Sequence, residues 1–149
     1  MPDRLLNENV VKQVKDAFDK QLAGDVQLFY FGKQDDCDYC SDTRQLVEEV
    51  VQLSDKIDLS IHDLDKDNEL AKKYNLDKAP GLVIAGRDGD LILDYGIRLA
   101  GIPSGYEFGT LIQSMILVSR RDSGLAPNTR KVLSDLKDSV NLLVFTTPT

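Results

Sequence analysis

Val26-Gln27-Leu28-Phe29-Tyr30-Phe31, an apolar run of strand type, leads within six residues to Cys37-Asp38-Tyr39-Cys40. These are the only two cysteines in the chain. Beyond them Leu46, Val47, Val50, Val51 and Leu53 recur at helical spacing to about residue 54, so the pair stands where a buried strand gives way to a helix. That placement suits thiol exchange. A disulfide is attacked by a thiolate, and the mixed disulfide so formed must be resolved by a second thiol already within reach; two cysteines three positions apart at a helix start meet both needs.

Working outward, Val10, Val11, Val14, Phe18 and Leu22 share a face at the 3.6-residue period, which predicts a helix over 8–22 before Gly24-Asp25. After the CxxC helix, Ile57, Leu59 and Ile61 alternate with Asp58, Ser60 and His62 as a half-buried strand, and 66–74 reads as a short polar helix. Two parallel strands joined by a crossover follow from this order. At Ala79-Pro80 the pattern changes. Gly81-Leu82-Val83-Ile84-Ala85 and Leu91-Ile92-Leu93-Asp94-Tyr95 flank Arg87-Asp88-Gly89-Asp90, a hairpin signal, and Ser104 and Glu107 stand at capping-box spacing before a helix running to about Arg120. A βαβ unit followed by ββα on one mixed sheet is an α/β fold of the thioredoxin type, here with an extra N-terminal helix.

Past Ser123-Gly124 the opening repeats in outline. Pro127 to Ser139 reads as a polar helix with Val132, Leu133 and Leu136 inward, followed by the apolar run Val140-Asn141-Leu142-Leu143-Val144-Phe145. Each of VQLFYF and VNLLVF follows an amphipathic helix and a short polar link, so residues 1–123 are expected to form one unit and 124–149 the start of a second, cut short. An apolar strand alone must pair with something. It is expected either to add to the edge of its own sheet or to pair between chains as a homodimer.

With 149 residues, 42% of them hydrophobic, the chain has enough for one core and an appendage. The formal charge of −7 and the absence of any basic cluster longer than Lys72-Lys73 or Arg120-Arg121 argue against nucleic acid and anionic membrane as partners. No signal-like N-terminus and no apolar run near the roughly 18 residues of a membrane span are present, so a cytoplasmic protein is expected. In a reducing cytosol a lone CxxC reads as catalytic, redox-sensing or metal-binding.

A helix N-terminus favours an anion, which makes Cys37 the expected attacking thiolate and Cys40, one turn in and less exposed, the resolving thiol. Asp35, Asp36 and Asp38 oppose the thiolate, with only Lys33 and Arg44 nearby to offset them. A nucleophile titrating at roughly 7 to 8, and a moderately reducing pair, are expected. X-Pro is the peptide bond that turns cis at low cost, and a cis Ala79-Pro80 before a strand would present the Ala79 main-chain groups to an extended substrate. An ordinary trans proline opening a strand is the other reading.

His62, the sole histidine, is placed on the polar face of a strand end with a surface or capping role; with the two cysteines it makes three zinc ligands where structural sites use four. Glu48 and Glu49 could take the proton of Cys40 or simply face solvent. Asp63, Asp65 and Asp67 start like a calcium loop but lack its glycine and closing glutamate.

Taken together, CDYC, LDKAPGLVI, YGIRLAGIPSGYEFGTLI and VNLLVFTTPT make the chain resemble the glutaredoxin-like protein disulfide oxidoreductases, which carry two thioredoxin folds in tandem. The resemblance covers nearly all of the sequence. It implies thiol–disulfide exchange with protein substrates, Cys37 and Cys40 as the redox pair, Pro80 as the cis-proline, no cofactor, and a thioredoxin-reductase-like electron donor. Members continue from a TPT-like segment into a second CxxC, which this chain lacks, so it corresponds to the N-terminal unit. A docking half with little turnover, or half of an intermolecular zinc site, are the alternative functions.

Overall fold

The computed structural model describes residues 3–147. Four helices and four strands build the unit: α1 (Glu8–Gln21), β1 (Asp25–Gly32), α2 (Cys40–Val51), β2 (Ile57–Asp63), α3 (Asn68–Lys73), β3 (Gly81–Asp88), β4 (Leu91–Ala100) and α4 (Tyr106–Arg120), with α5 (Pro127–Ser134) beyond them. The sheet order is β2-β1-β3-β4. β1 and β2 run parallel, while β3 is antiparallel to both β1 and β4, as the crossover and the hairpin signal require. Gly89 sits in the β3–β4 turn at φ +59°, a conformation that costs glycine nothing.

Two apolar layers flank the sheet. On one face Val14 and Phe18 of α1, Leu46, Val47 and Val50 of α2, and Leu111, Met115 and Ile116 of α4 close over Val26, Leu28, Leu82 and Ile84. On the other, Leu64, Ala71 and Tyr74 around the short α3 cover Phe29, Phe31, Val83 and Ala85. β1 is therefore buried on both sides along its length after Asp25. That is why its residues are almost continuously apolar.

Several expected features differ. The second hairpin strand runs on to Ala100, because Asp94, Tyr95 and Gly96 bulge opposite the single residue Ala85 and the ladder then resumes. Ser104 does not cap α4: Gly105 holds the cap position, no side chain caps the helix, and only the Ser104 carbonyl accepts the Glu107 amide. α5 stops at Ser134, and Val132, Leu133 and Leu136 face solvent because no second sheet lies beneath them. The 140–145 run forms no strand in its own sheet; it is irregular, with Leu142 84% and Phe145 90% exposed. Backbone groups there have no neighbouring strand to bond. Pro148 and Thr149 of the TTPT segment lie outside the described residues.

Candidate active site

Strand register brings the relevant loops to one end of the sheet. Phe31 at the end of β1 stands opposite Gly81 at the start of β3, and Gly32 opposite Asp63 at the end of β2. The Cys37 loop, the Asp63–Asp67 turn and the Ala79-Pro80 step therefore emerge side by side. Ala79-Pro80 is cis, and the Pro80 carbonyl accepts the amide of Gly101 at 2.9 Å.

Cys37 and Cys40 are joined in a disulfide, with Cα atoms 5.5 Å apart. Cys37 is half-buried and Cys40 buried. Cys40 is the first residue of α2, with Tyr39 as its N-cap, rather than one turn inside the helix. The Lys33 amide donates to the Cys40 sulfur at 3.4 Å, and the Cys40 amide reaches back to the Cys37 carbonyl at 3.4 Å.

A cavity of about 570 Å³ opens beside the disulfide, bordered by Tyr30, Lys33, Arg44 and His62 among others. Asp35, Asp36 and Asp38 are exposed in the loop that carries Cys37 and are not part of the cavity lining. The two cations expected to offset them are both engaged: Lys33 pairs with Asp65 at 3.4 Å and Arg44 with Glu48 at 2.8 Å. Glu48 is thus bound to its helical neighbour. Glu49 is no proton acceptor for Cys40 and does not simply face water, because it accepts the amides of Leu5 and Leu6, each at 2.9 Å, and ties the N-terminal segment to α2. Burial raises its pKa, but those amides, the Gln45 amide group and Arg4 outweigh burial and hold the carboxyl below its ordinary range.

His62 is not on a polar surface. Its ring stacks on Phe31 at 5.1 Å and on Phe29 at 6.1 Å, its Nδ1 lies 3.6 Å from Asp67, and its Nε2 is buried without a partner. The side chain leaves the polar pattern of β2 because it packs on the aromatic rings of the neighbouring β1, with the Asp67 carboxylate beside it. Asp63 and Asp67 serve the turn itself: Asp63 Oδ1 accepts the amides of Asp65 and Lys66, and Asp67 Oδ2 accepts that of Asp63. Among the described residues no group of three or more His, Cys, Asp or Glu is arranged to hold a metal ion.

Tyr30 was legible in the sequence only as core. Its hydroxyl donates to the Cys40 carbonyl at 2.7 Å. Burial raises the phenol's pKa, Arg44 lowers it and Glu48 raises it, with a net rise that keeps the hydroxyl a donor.

A CxxC disulfide at a helix start, a cis-proline before the antiparallel hairpin and the strand order β2-β1-β3-β4 occur here together. The chain has the thioredoxin fold. No family model and no curated protein matches the sequence. Solved structures do. This thioredoxin-fold chain is similar to a protein disulfide oxidoreductase from Aeropyrum pernix K1, at 21% identity over 88% of this chain and 55% of that one, TM-score 0.73. It is equally similar to the NTD_N/C domain of alkylhydroperoxide reductase AhpF from Enterococcus faecalis, at 25% identity over 85% of this chain and 58% of that one, TM-score 0.74. A second structure of that AhpF subunit gives 24% identity, 88% and 61% coverage, and a TM-score of 0.76. The chain spans somewhat over half the length of these structures. No helix among the described residues is long and apolar enough to cross a membrane.

Proposed function

We propose that the chain is a thiol–disulfide oxidoreductase unit of the glutaredoxin-like protein disulfide oxidoreductase type, acting on protein substrates. One observation carries this reading: the Cys37–Cys40 disulfide joins a half-exposed sulfur to a buried one at the first turn of α2. In the reduced state the Cys37 thiolate attacks a substrate disulfide and expels one substrate thiolate, which takes up a proton. Cys40 then loses its proton and attacks Cys37, the second substrate sulfur leaves with its electron pair and is protonated, and the Cys37–Cys40 bond forms. Two electrons and two protons pass to the substrate. An external dithiol, delivered by a thioredoxin-reductase-like donor, reverses the change. Ala79 offers main-chain groups to an extended substrate strand beside Pro80. Asp35, Asp36 and Asp38 disfavour an anionic tripeptide thiol, and by leaving the Cys37 thiolate without special stabilisation they keep the pair moderately reducing and from acting as a strong oxidant.

Insulin reduction by dithiothreitol is the test. The wild type is expected to accelerate it, Cys37→Ser to abolish the acceleration, and Cys40→Ser to accumulate a mixed disulfide on Cys37. Equal rates with and without the wild-type chain would remove the reading.

A second reading is favoured by the exposed apolar side chains of Val132, Leu136 and residues 140–145. Residues 124–149 are then the beginning of a second unit, and residues 1–123 a docking half of low turnover. Its signature is a normal disulfide equilibrium with negligible insulin turnover.

A further inference from the structure

Tyr30 at the end of β1 and Lys33 just beyond it both bond to Cys40, with Gly32 between them. The Tyr30 side chain is 3% exposed, and its hydroxyl bonds the Cys40 carbonyl at 2.7 Å. In an α-helix the carbonyl of the first residue is already the acceptor for the amide four positions on. The Tyr30 bond therefore fills no vacancy in the backbone; it adds a second donor that fixes where the helix begins.

Gly32 makes this arrangement sterically feasible. Its φ is not in the left-handed region, so glycine is not needed there for conformation. An added Cβ would run into the Tyr30 hydroxyl and lie 2.9 Å from the ring carbon that bears it. Glycine at position 32 is therefore explained by the phenol's need for room. The next residue, Lys33, donates its amide to the Cys40 sulfur at 3.4 Å. Cys40 is held by its carbonyl and by its sulfur from a single strand end.

We propose that Tyr30 and Gly32 form a clamp that fixes Cys40 for resolution, with Tyr30 as a positioning residue that sets the equilibrium of the Cys37–Cys40 disulfide. This rests on the reading that the pair cycles. In the step concerned, the deprotonated Cys40 sulfur bonds to Cys37, the bond from Cys37 to the substrate sulfur breaks, and that sulfur departs with the electron pair and takes a proton. The clamp raises the effective concentration of Cys40 at Cys37. It leaves the first attack, by Cys37 on the substrate, unaffected.

The experiment equilibrates purified wild type, Tyr30→Phe, Gly32→Ala and the double variant with dithiothreitol redox buffers. Folding is followed by circular dichroism, and the Cys37 alkylation rate is measured against pH. In both single variants the disulfide equilibrium constant is expected to fall about threefold to tenfold, the range of one neutral hydrogen bond; tenfold corresponds to about 30 mV. Mixed disulfides should persist longer by the same factor while the Cys37 alkylation profile stays in place. The double variant should fall no further than the stronger single one, since both act by one route. An unchanged equilibrium constant in folded Tyr30→Phe, or in folded Gly32→Ala should the first not fold, overturns the clamp. So does an alkylation profile that moves with the equilibrium. An inactive wild type in the insulin assay with a normal disulfide equilibrium would instead overturn the enzymatic reading alone.

Discussion

Asp35, Asp36 and Asp38 stand in water around Cys37, while Lys33 and Arg44 are already matched with Asp65 and Glu48. Each carboxylate disfavours the thiolate, so replacing all three by asparagine is expected to move the alkylation of Cys37 to lower pH. The pH dependence of iodoacetamide alkylation in Cys40→Ser, with and without the three substitutions, measures this, and coincident profiles would show that the carboxylates do not act on Cys37. At this scale the cysteine pair is marked by its spacing, whereas at Pro80 the residues leave cis and trans open, and the order of elements and the family resemblance point to the cis bond that the structure has. Tyr30 and His62 were not legible. A tyrosine inside an apolar strand looks like core until the fold sets its hydroxyl under a helix start, and a histidine on an alternating strand looks exposed until the adjacent strand sets two phenylalanine rings against it.

Among the elements, β4 and α2 each carry a carboxylate that acid will release. Asp94 accepts both guanidinium nitrogens of Arg98, at 2.8 and 2.7 Å, and Arg98 in turn donates to the Tyr74 carbonyl at 2.7 Å, tying the bulge to the end of α3. The Arg98 bonds come first among the causes that hold Asp94 below its ordinary range, against opposition from burial. Glu49 is lowered as well. A carboxyl with a lower pKa folded than unfolded stabilises the fold above the unfolded value, near 4, and loses that contribution as pH falls through the folded value. Urea stability is therefore expected to fall below about pH 4, with a shallower slope in Asp94→Asn and Glu49→Gln. Parallel slopes in wild type and variants would remove both groups from the account. Glu49→Ala should also cost about 1 kcal/mol at neutral pH through the lost amide bonds. α1, α2, α4 and β1 to β3 were legible because apolar periodicity marks them. The length of β4 was not, since a bulge breaks the alternation at Asp94–Gly96 and no local signal announces that pairing resumes.

For the whole molecule, every described residue from 121 to 147 is exposed, and α5 buries none of its side chains. A chain ending at Ser123 is accordingly expected to keep its melting temperature within about 2 °C, the shift that less than 1 kcal/mol produces in a domain of this size. Light scattering after size exclusion then assigns the tail's partner: a dimer of the full chain that becomes a monomer on truncation supports pairing through 140–145, and two monomers exclude it. The unit's fold was readable because each of its elements finds a partner within the sequence. The tail strand was not, because a strand exists only alongside another.

Leu142, Leu143, Val144 and Phe145, held in water beside a finished core, set how this protein behaves in the test tube. Sulfate strengthens apolar association and should bring the chain out of solution, while a net charge of −7 in dilute buffer keeps copies apart. Its solubility is a contest between those two surfaces, and the salt chosen decides the winner.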